Sequence, residues 1–176
     1  MDIEKIVDAP NTKDILLVAN QYTTFVEKIN LFEPSDVMDY LLKIIPLLYI
    51  KGLLIPAVEP EEEDILASRF LTEEDYEITY VNVKDKFEKY NYFESFDSLT
   101  NQMETYDMSE MITDIYQDMK DFILLYQKNT FTAQINAVRN LRQNFYERWG
   151  KTIVVLLSYL HPLLYPMEAN PAEEID

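Results

Sequence analysis

Three aspartates, Asp114, Asp118 and Asp121, fall at three- and four-residue steps inside the stretch S-E-M-I-T-D-I-Y-Q-D-M-K-D-F-I-L-L-Y-Q-K, residues 109–128. At helical spacing they share one face, turned to the side of the apolar stripe formed by Met111, Ile112, Ile115, Met119, Phe122 and Tyr126. Arg142 is their natural counterpart. It shares a helical stripe with Val138, Phe145 and Trp149, so the pattern points a guanidinium inward. A buried guanidinium requires an anion, and an Arg142–Asp118 pair with Asp114 nearby is the arrangement the spacing suggests, Asp121 being a further candidate. Such a pair either fixes helix register or forms an anion-binding or carboxylate site in a pocket between helices.

A second set of acids has the form of a metal site. Glu73, Glu74 and Glu77 make E-E-x-x-E, and Glu104 with Asp107 makes E-x-x-D. All-α nucleotide pyrophosphohydrolases bind Mg²⁺ with a similar pattern of oxygen ligands on adjacent helices. The competing explanation is that Glu73 and Glu74 are first-turn acids at a helix start. Trp149, Gly150 and Tyr116 could form a ligand platform, although an aromatic in a helical stripe ordinarily belongs to the core. Tyr116 and Lys120 lie one turn apart, as a surface contact would place them. His161 has no second histidine to act with.

Helices must position these groups. Apolar periodicity predicts helices over about 13–30, 34–54, 73–90 and 109–128, and a long last helix from Thr130 towards Tyr165. Asn11 or Thr12, Thr72 with Asp75, and Ser109 are the candidate N-caps. The second helix is apolar on nearly every side and so reads as central and covered by neighbours, with Pro46 kinking it. Residues 55–71 read as an acidic connector anchored by Ile65, Leu66, Phe70 and Leu71. Residues 91–107 read as a connection pinned by Tyr92, Phe93, Phe96 and Leu99, or as one holding a short helix over Leu99–Glu104. Gly150 reads as a point of close approach beside Trp149, and Pro162 and Pro166 as the end of the last helix. The expected architecture is all-α: one bundle of about five helices over residues 1–166, followed by a disordered acidic tail over 167–176.

Composition narrows the function. The 176 residues carry 32 acids against 15 bases, a net charge of -17. That field keeps a protein soluble and repels a phosphate backbone, which disfavours direct nucleic-acid binding. An acidic mimic of nucleic acid that occupies a basic protein remains compatible with it. Only 2 glycines argue against a Gly-rich phosphate loop, and no Cys excludes thiolate chemistry and disulfides. The acidic start has no signal-peptide pattern, and the apolar runs are too short to span a membrane. These features predict a cytoplasmic interaction or accessory protein without catalysis, without cofactor, and with another protein as partner. The alternatives are a metal-dependent nucleotide-type hydrolase built on the helix carboxylates and the acidic mimic.

Several motifs occur in one order. They are Ala19–Asn20 with Tyr22, Phe25 and Glu27; the run from Leu41 to Pro56; Thr72 to Tyr76; D-I-Y-x-D-x-K over Asp114 to Lys120; and R-x-x-F-x-x-x-W-G over Arg142 to Gly150. In that order the chain resembles an uncharacterised family of small bacterial helical proteins, catalogued as a domain of unknown function. The resemblance implies an all-α domain and carries no activity. Arg148 and Lys151 stand where histidines are expected around W-G, a departure that weighs against carrying over to this chain any metal or acid–base role of such histidines.

Overall fold

The computed structural model describes residues 4–58, 69–97 and 100–166. The expected tail over 167–176, the anchors Ile65 and Leu66, and Leu99 lie outside them. Helices run over Glu4–Val7 (α1), Pro10–Glu27 (α2), Pro34–Leu53 (α3), Glu73–Phe87 (α4), Met108–Tyr126 (α5), Phe131–Asn144 (α6) and Gly150–Leu164 (α7). A π-turn over Phe145–Trp149 joins α6 to α7, so the predicted long last helix is one rod from Phe131 to Leu164. Counting that rod once and setting the single turn of α1 aside, the described residues form five long helices, as the periodicity predicted.

The helix starts differ in detail from the reading above. Thr72 caps α4 as expected, its Oγ1 accepting the Asp75 N–H at 3.1 Å. Thr130 Oγ1 accepts from the Ala133 N–H and caps α6. At α5 the cap is Asp107 in place of Ser109; Asp107 Oδ1 accepts the N–H groups of Ser109 and Glu110 at 2.9 and 3.1 Å. An acid there also meets the positive end of the helix dipole. Thr12 does not cap α2: Pro10 occupies the first turn, and the Thr12 hydroxyl donates to the Ile6 carbonyl at 2.7 Å. Pro162 sits inside α7, which ends at Leu164.

The segment expected as a loop or short helix is a β-hairpin. Tyr92–Asp97 (β1) pairs antiparallel with Gln102–Asp107 (β2), Tyr92 facing Asp107 and Asp97 facing Gln102. Alternation explains it: Phe93 and Asp97 turn inward while Tyr92, Glu94 and Phe96 face water. Of the expected pins, Phe93 anchors the segment, its ring stacking on Tyr159 of α7 at 3.8 Å and 4°, whereas Tyr92 and Phe96 are exposed. Asp97 is held by Lys151 Nζ at 2.7 Å. Asn101, at φ 56, supplies the left-handed residue that the hairpin's turn requires.

The core is built on α5, which buries Ile112, Ile115, Tyr116, Met119 and Phe122 against α2, α4 and α6. The α3 helix, read as wrapped by neighbours, packs mainly on α2 and α7. Leu41, Ile45 and Leu48 are buried there, but Leu47, Ile50, Leu53 and Leu54 stay 45%, 50%, 53% and 46% exposed. Gly52 lets α3 approach the rod. A Cβ on it would come within 2.6 Å of ring carbons of both Phe145 and Trp149. Gly52→Ala should therefore displace those rings and cost about 1–3 kcal/mol, read by denaturant unfolding. An unchanged midpoint would mean the helices are not in close contact.

Candidate functional site

The predicted face of α5 exists, but its three carboxylates go to three different places. Asp114 Oδ1 accepts the Tyr76 hydroxyl of α4 at 2.8 Å. Asp121 Oδ1 accepts the backbone N–H groups of Phe70 and Leu71 at 2.8 and 2.7 Å and so fixes the chain entering α4. Asp118 turns to the rod. Its Oδ1 accepts Asn144 Nδ2 at 3.0 Å and a guanidinium N–H of Arg148.

The partner of Asp118 is thus Arg148, and Arg142 lies elsewhere. Arg142 stacks on Tyr146, its guanidinium 4.9 Å from the ring centroid, and Nη2 is 3.4 Å from the Tyr146 hydroxyl. The reason is that the rod has two inward faces. Phe145 and Trp149 pack towards α3, while Leu141, Asn144 and Arg148 turn towards α5. Arg142 was placed by a stripe that follows the first face. The second face was legible as Leu141, Asn144 and Arg148 at helical steps.

Asp118, Asn144 and Arg148 form one wall of a cavity of about 170 Å³ between α5, α6 and residues 69–70. Arg69, Asp121 and Asn140 add polar groups, and Phe122 and Leu141 add apolar ones. Arg69 Nη1 donates to Gln117 Oε1. The Asp118 side chain is only 1% exposed, against 38% for Arg148, which stands at the mouth. Burial pushes the Asp118 carboxyl up to about 6, while the Arg148 charge and hydrogen bond pull it back and Asp114 adds to the rise. Asp118 Oδ2 has no hydrogen-bond partner. Asp121 is also raised by burial, opposed by its two backbone donors.

The other sequence-selected residues are already engaged. Trp149 is fully buried and donates Nε1–H to the Leu141 carbonyl at 3.1 Å, so it is core and offers no open platform. Gly150 serves the π-turn: its N–H donates to the Phe145 carbonyl, and a Cβ there would lie 2.5 Å from that oxygen. Tyr116 and Lys120 converge on Glu27 of α2, at 3.1 and 2.7 Å from Oε1. His161 is exposed at the end of α7.

The metal arrangement does not assemble. Glu73, Glu74 and Glu77 lie exposed on α4, while Glu104 and Asp107 are on β2. Glu104 accepts the hydroxyls of Thr100 and Tyr106, and Asp107 caps α5 and accepts the Tyr80 hydroxyl at 2.8 Å. Among the described residues no three acids or histidines come together to hold a metal ion. Nor is any helix among them long and apolar enough to cross a membrane.

One feature escaped the sequence reading. An open groove of about 690 Å³ runs between α2 and α3. The rings of Phe32, Phe25 and Tyr40 stack along it, with centroids 4.9 and 3.8 Å apart. Ile44 and Leu47 continue the apolar surface, and Lys28 and Lys43 flank it. The helices are antiparallel, tied by Tyr40 to the Gln21 carbonyl at one end and by Lys51 to Asp14 at the other. Leu17, 60% exposed, lies on α2 between those ties, as Leu47 does on α3.

The family model described as a domain of unknown function (DUF5063) matches residues 7–166. The crystal structure of protein BF1032 from Bacteroides fragilis superposes with a TM-score of 0.81 at 27% identity, covering 94% of this chain and 99% of that one. No curated protein matches the chain.

Proposed function

Because the chain belongs to the DUF5063 family, whose description names no activity, we propose from its surface that it is an interaction or accessory protein without catalytic activity. Its partner is another protein, which lays an amphipathic helix into the groove between α2 and α3. The observation that carries this is α3 itself. It is apolar on nearly every side, yet two neighbours cover only part of it, and Leu47, Ile50 and, just past its end, Leu54 stand half in water at steps of three and four residues.

Single exposed leucines need no explanation, but Leu47 lines the aromatic groove and Ile50 follows it one helical turn on, and an exposed apolar surface of that kind marks an interaction site. A helix seated in a groove is read through anchors at just these steps. Burying apolar surface contributes about 25 cal/mol per Å² removed from water, which favours an apolar face on the incoming helix. Lys28 and Lys43 beside the groove favour carboxylates at that helix's edge; Lys43 already pairs with Asp39 at 2.5 Å, so Lys28 is the freer of the two. A second copy of this chain is the weaker occupant, since each copy carries -17 and the two repel.

The test combines Leu47→Glu with Ile50→Glu. Surface substitutions of this kind change stability by no more than about 0.5 kcal/mol, so the double variant should melt as the native chain does. It should lose a partner that the native chain captures at equal stoichiometry, and Lys28→Glu should weaken capture and reduce its salt dependence. Equal capture by the double variant would contradict the proposal. So would a native dimer in sedimentation that the double variant dissolves, because the occupant would then be a second copy.

A further inference from the structure

The polar cavity around Asp118 is remote in character from the apolar groove and is left unused by the docking reading. We propose that it binds a small zwitterion of amino-acid size, its ammonium group meeting Asp118 and its carboxylate meeting Arg148. The inference stands independently of the α2–α3 groove.

Size comes first. One water needs roughly 10–15 Å³ of such space, so about 170 Å³ exceeds what a single structural water would fill. Charge comes second. Arg69 and Arg148 oppose Asp118 and Asp121 around the cavity, so its ionised side chains balance. A free cation or a free anion would leave a charge uncompensated in a half-closed space, which is costly. A ligand that is neutral overall and carries both charges avoids that cost.

Unused hydrogen-bonding capacity comes third. Asp118 Oδ1 already takes two donors, while Oδ2 has none, on a side chain 1% exposed. A buried acceptor left alone is costly, and a charged donor is its strongest complement. Arg148 gives one N–H to Asp118, and its remaining N–H groups are suited to a carboxylate, which guanidinium binds in a fork. The Asn140 side chain lines the same cavity and offers a further amide donor there. Phe122 and Leu141 give the ligand's carbon atoms an apolar wall.

The chemistry sets a pH response. An ammonium group prefers the ionised form of Asp118, which faces Arg148 and Asn144 from the rod, has Asp114 and Asp121 on its own helix, and meets Arg69 from across the cavity. With that carboxyl at about 6, affinity should fall roughly tenfold between pH 7 and pH 5.

The experiment is a ¹H–¹⁵N NMR titration of the full chain with the twenty common L-amino acids at millimolar concentration, beside acetate, methylammonium and acetamide. At least one amino acid should shift the side-chain amides of Asn140 and Asn144 saturably. Asp118→Asn should weaken it at least tenfold, and so should Asn140→Leu, which fills part of the cavity from a half-buried position and keeps the native spectrum elsewhere. Leu47→Glu should leave it unchanged. A panel in which no amino acid shifts those amides would overturn the proposal. Acetate, methylammonium or acetamide acting as strongly as any amino acid would overturn the ligand class. Binding undiminished in Asn140→Leu would place the ligand outside the cavity.

Discussion

Replacing Arg148 with Met is expected to lower the unfolding free energy by about 2–3 kcal/mol at pH 8 and by far less at pH 5. The side chain at issue is Asp118, which is 1% exposed and has Arg148 as its ion-pair partner. Removing one partner of a buried pair leaves an uncompensated charge, commonly worth 3–5 kcal/mol; Arg148 is 38% exposed, so water replaces part of it and the lower figure applies. The pH dependence follows from the direction of the shift. Asp118 titrates at about 6 in the folded chain, above its ordinary 3.8, so between those values the folded state holds a proton that the unfolded state has lost. Its contribution to stability is therefore present at low pH and is lost as pH rises through 6. For the native chain this predicts greater stability at pH 4 than at pH 7, by about 2–3 kcal/mol from this group. Asp118→Asn should remove that component. Without Arg148 the carboxyl climbs further and the penalty at pH 8 grows. Denaturant unfolding at pH 5, 6.5 and 8 measures all three chains. An Arg148→Met loss that is equal at every pH would show that Asp118 is not the group responsible.

Trp149→Ala should cost about 4 kcal/mol, near the upper range for deleting a buried aromatic. The indole is wholly buried, contacts Phe145 with centroids 4.6 Å apart, and donates to the Leu141 carbonyl. It also fills the space that Gly52 leaves on α3. Because α3 packs mainly on α2 and the rod, the cavity created by the substitution should loosen the helix that carries the docking face. Amide exchange should then accelerate in α3 before it does in α5. A loss under about 1 kcal/mol, with α3 exchange unchanged, would show that Trp149 is not the wedge between them.

How far the sequence could be read follows from what each residue's pattern measures. Periodicity located α2 to α5 and the rod because each buries a continuous stripe, and a stripe is a local property. Burial of α3 is not local. A helix apolar on nearly every side is covered either by its own fold or by a partner, and the letters Leu47, Ile50 and Leu54 are the same in both cases. The hairpin was missed because Asn91 to Asp107 was weighed by length and aromatic content, whereas the alternation of Phe93 and Asp97 with Tyr92, Glu94 and Phe96 was the stronger signal. At the candidate site Asp118 was found and its partner was not. A single α-helical stripe runs through Arg142, but the rod meets α3 and α5 at once and carries a π-turn between them, so the cation that reaches Asp118 is Arg148. Glu104 and Asp107 matched a metal pattern by spacing alone; their oxygens accept hydroxyls and cap a helix.

The most direct test of the central claim, that the groove between α2 and α3 seats a partner helix, is site-specific photo-crosslinking in cells. A photo-reactive phenylalanine analogue is placed at Leu47 and, as a control, at Ile78, which is 54% exposed on α4. The expected result is one discrete adduct from position 47 and none from position 78, with the joined peptide mapping to the apolar face of an amphipathic helix in a different protein. An adduct joining two copies of this chain, or equal yields from both positions, would contradict it.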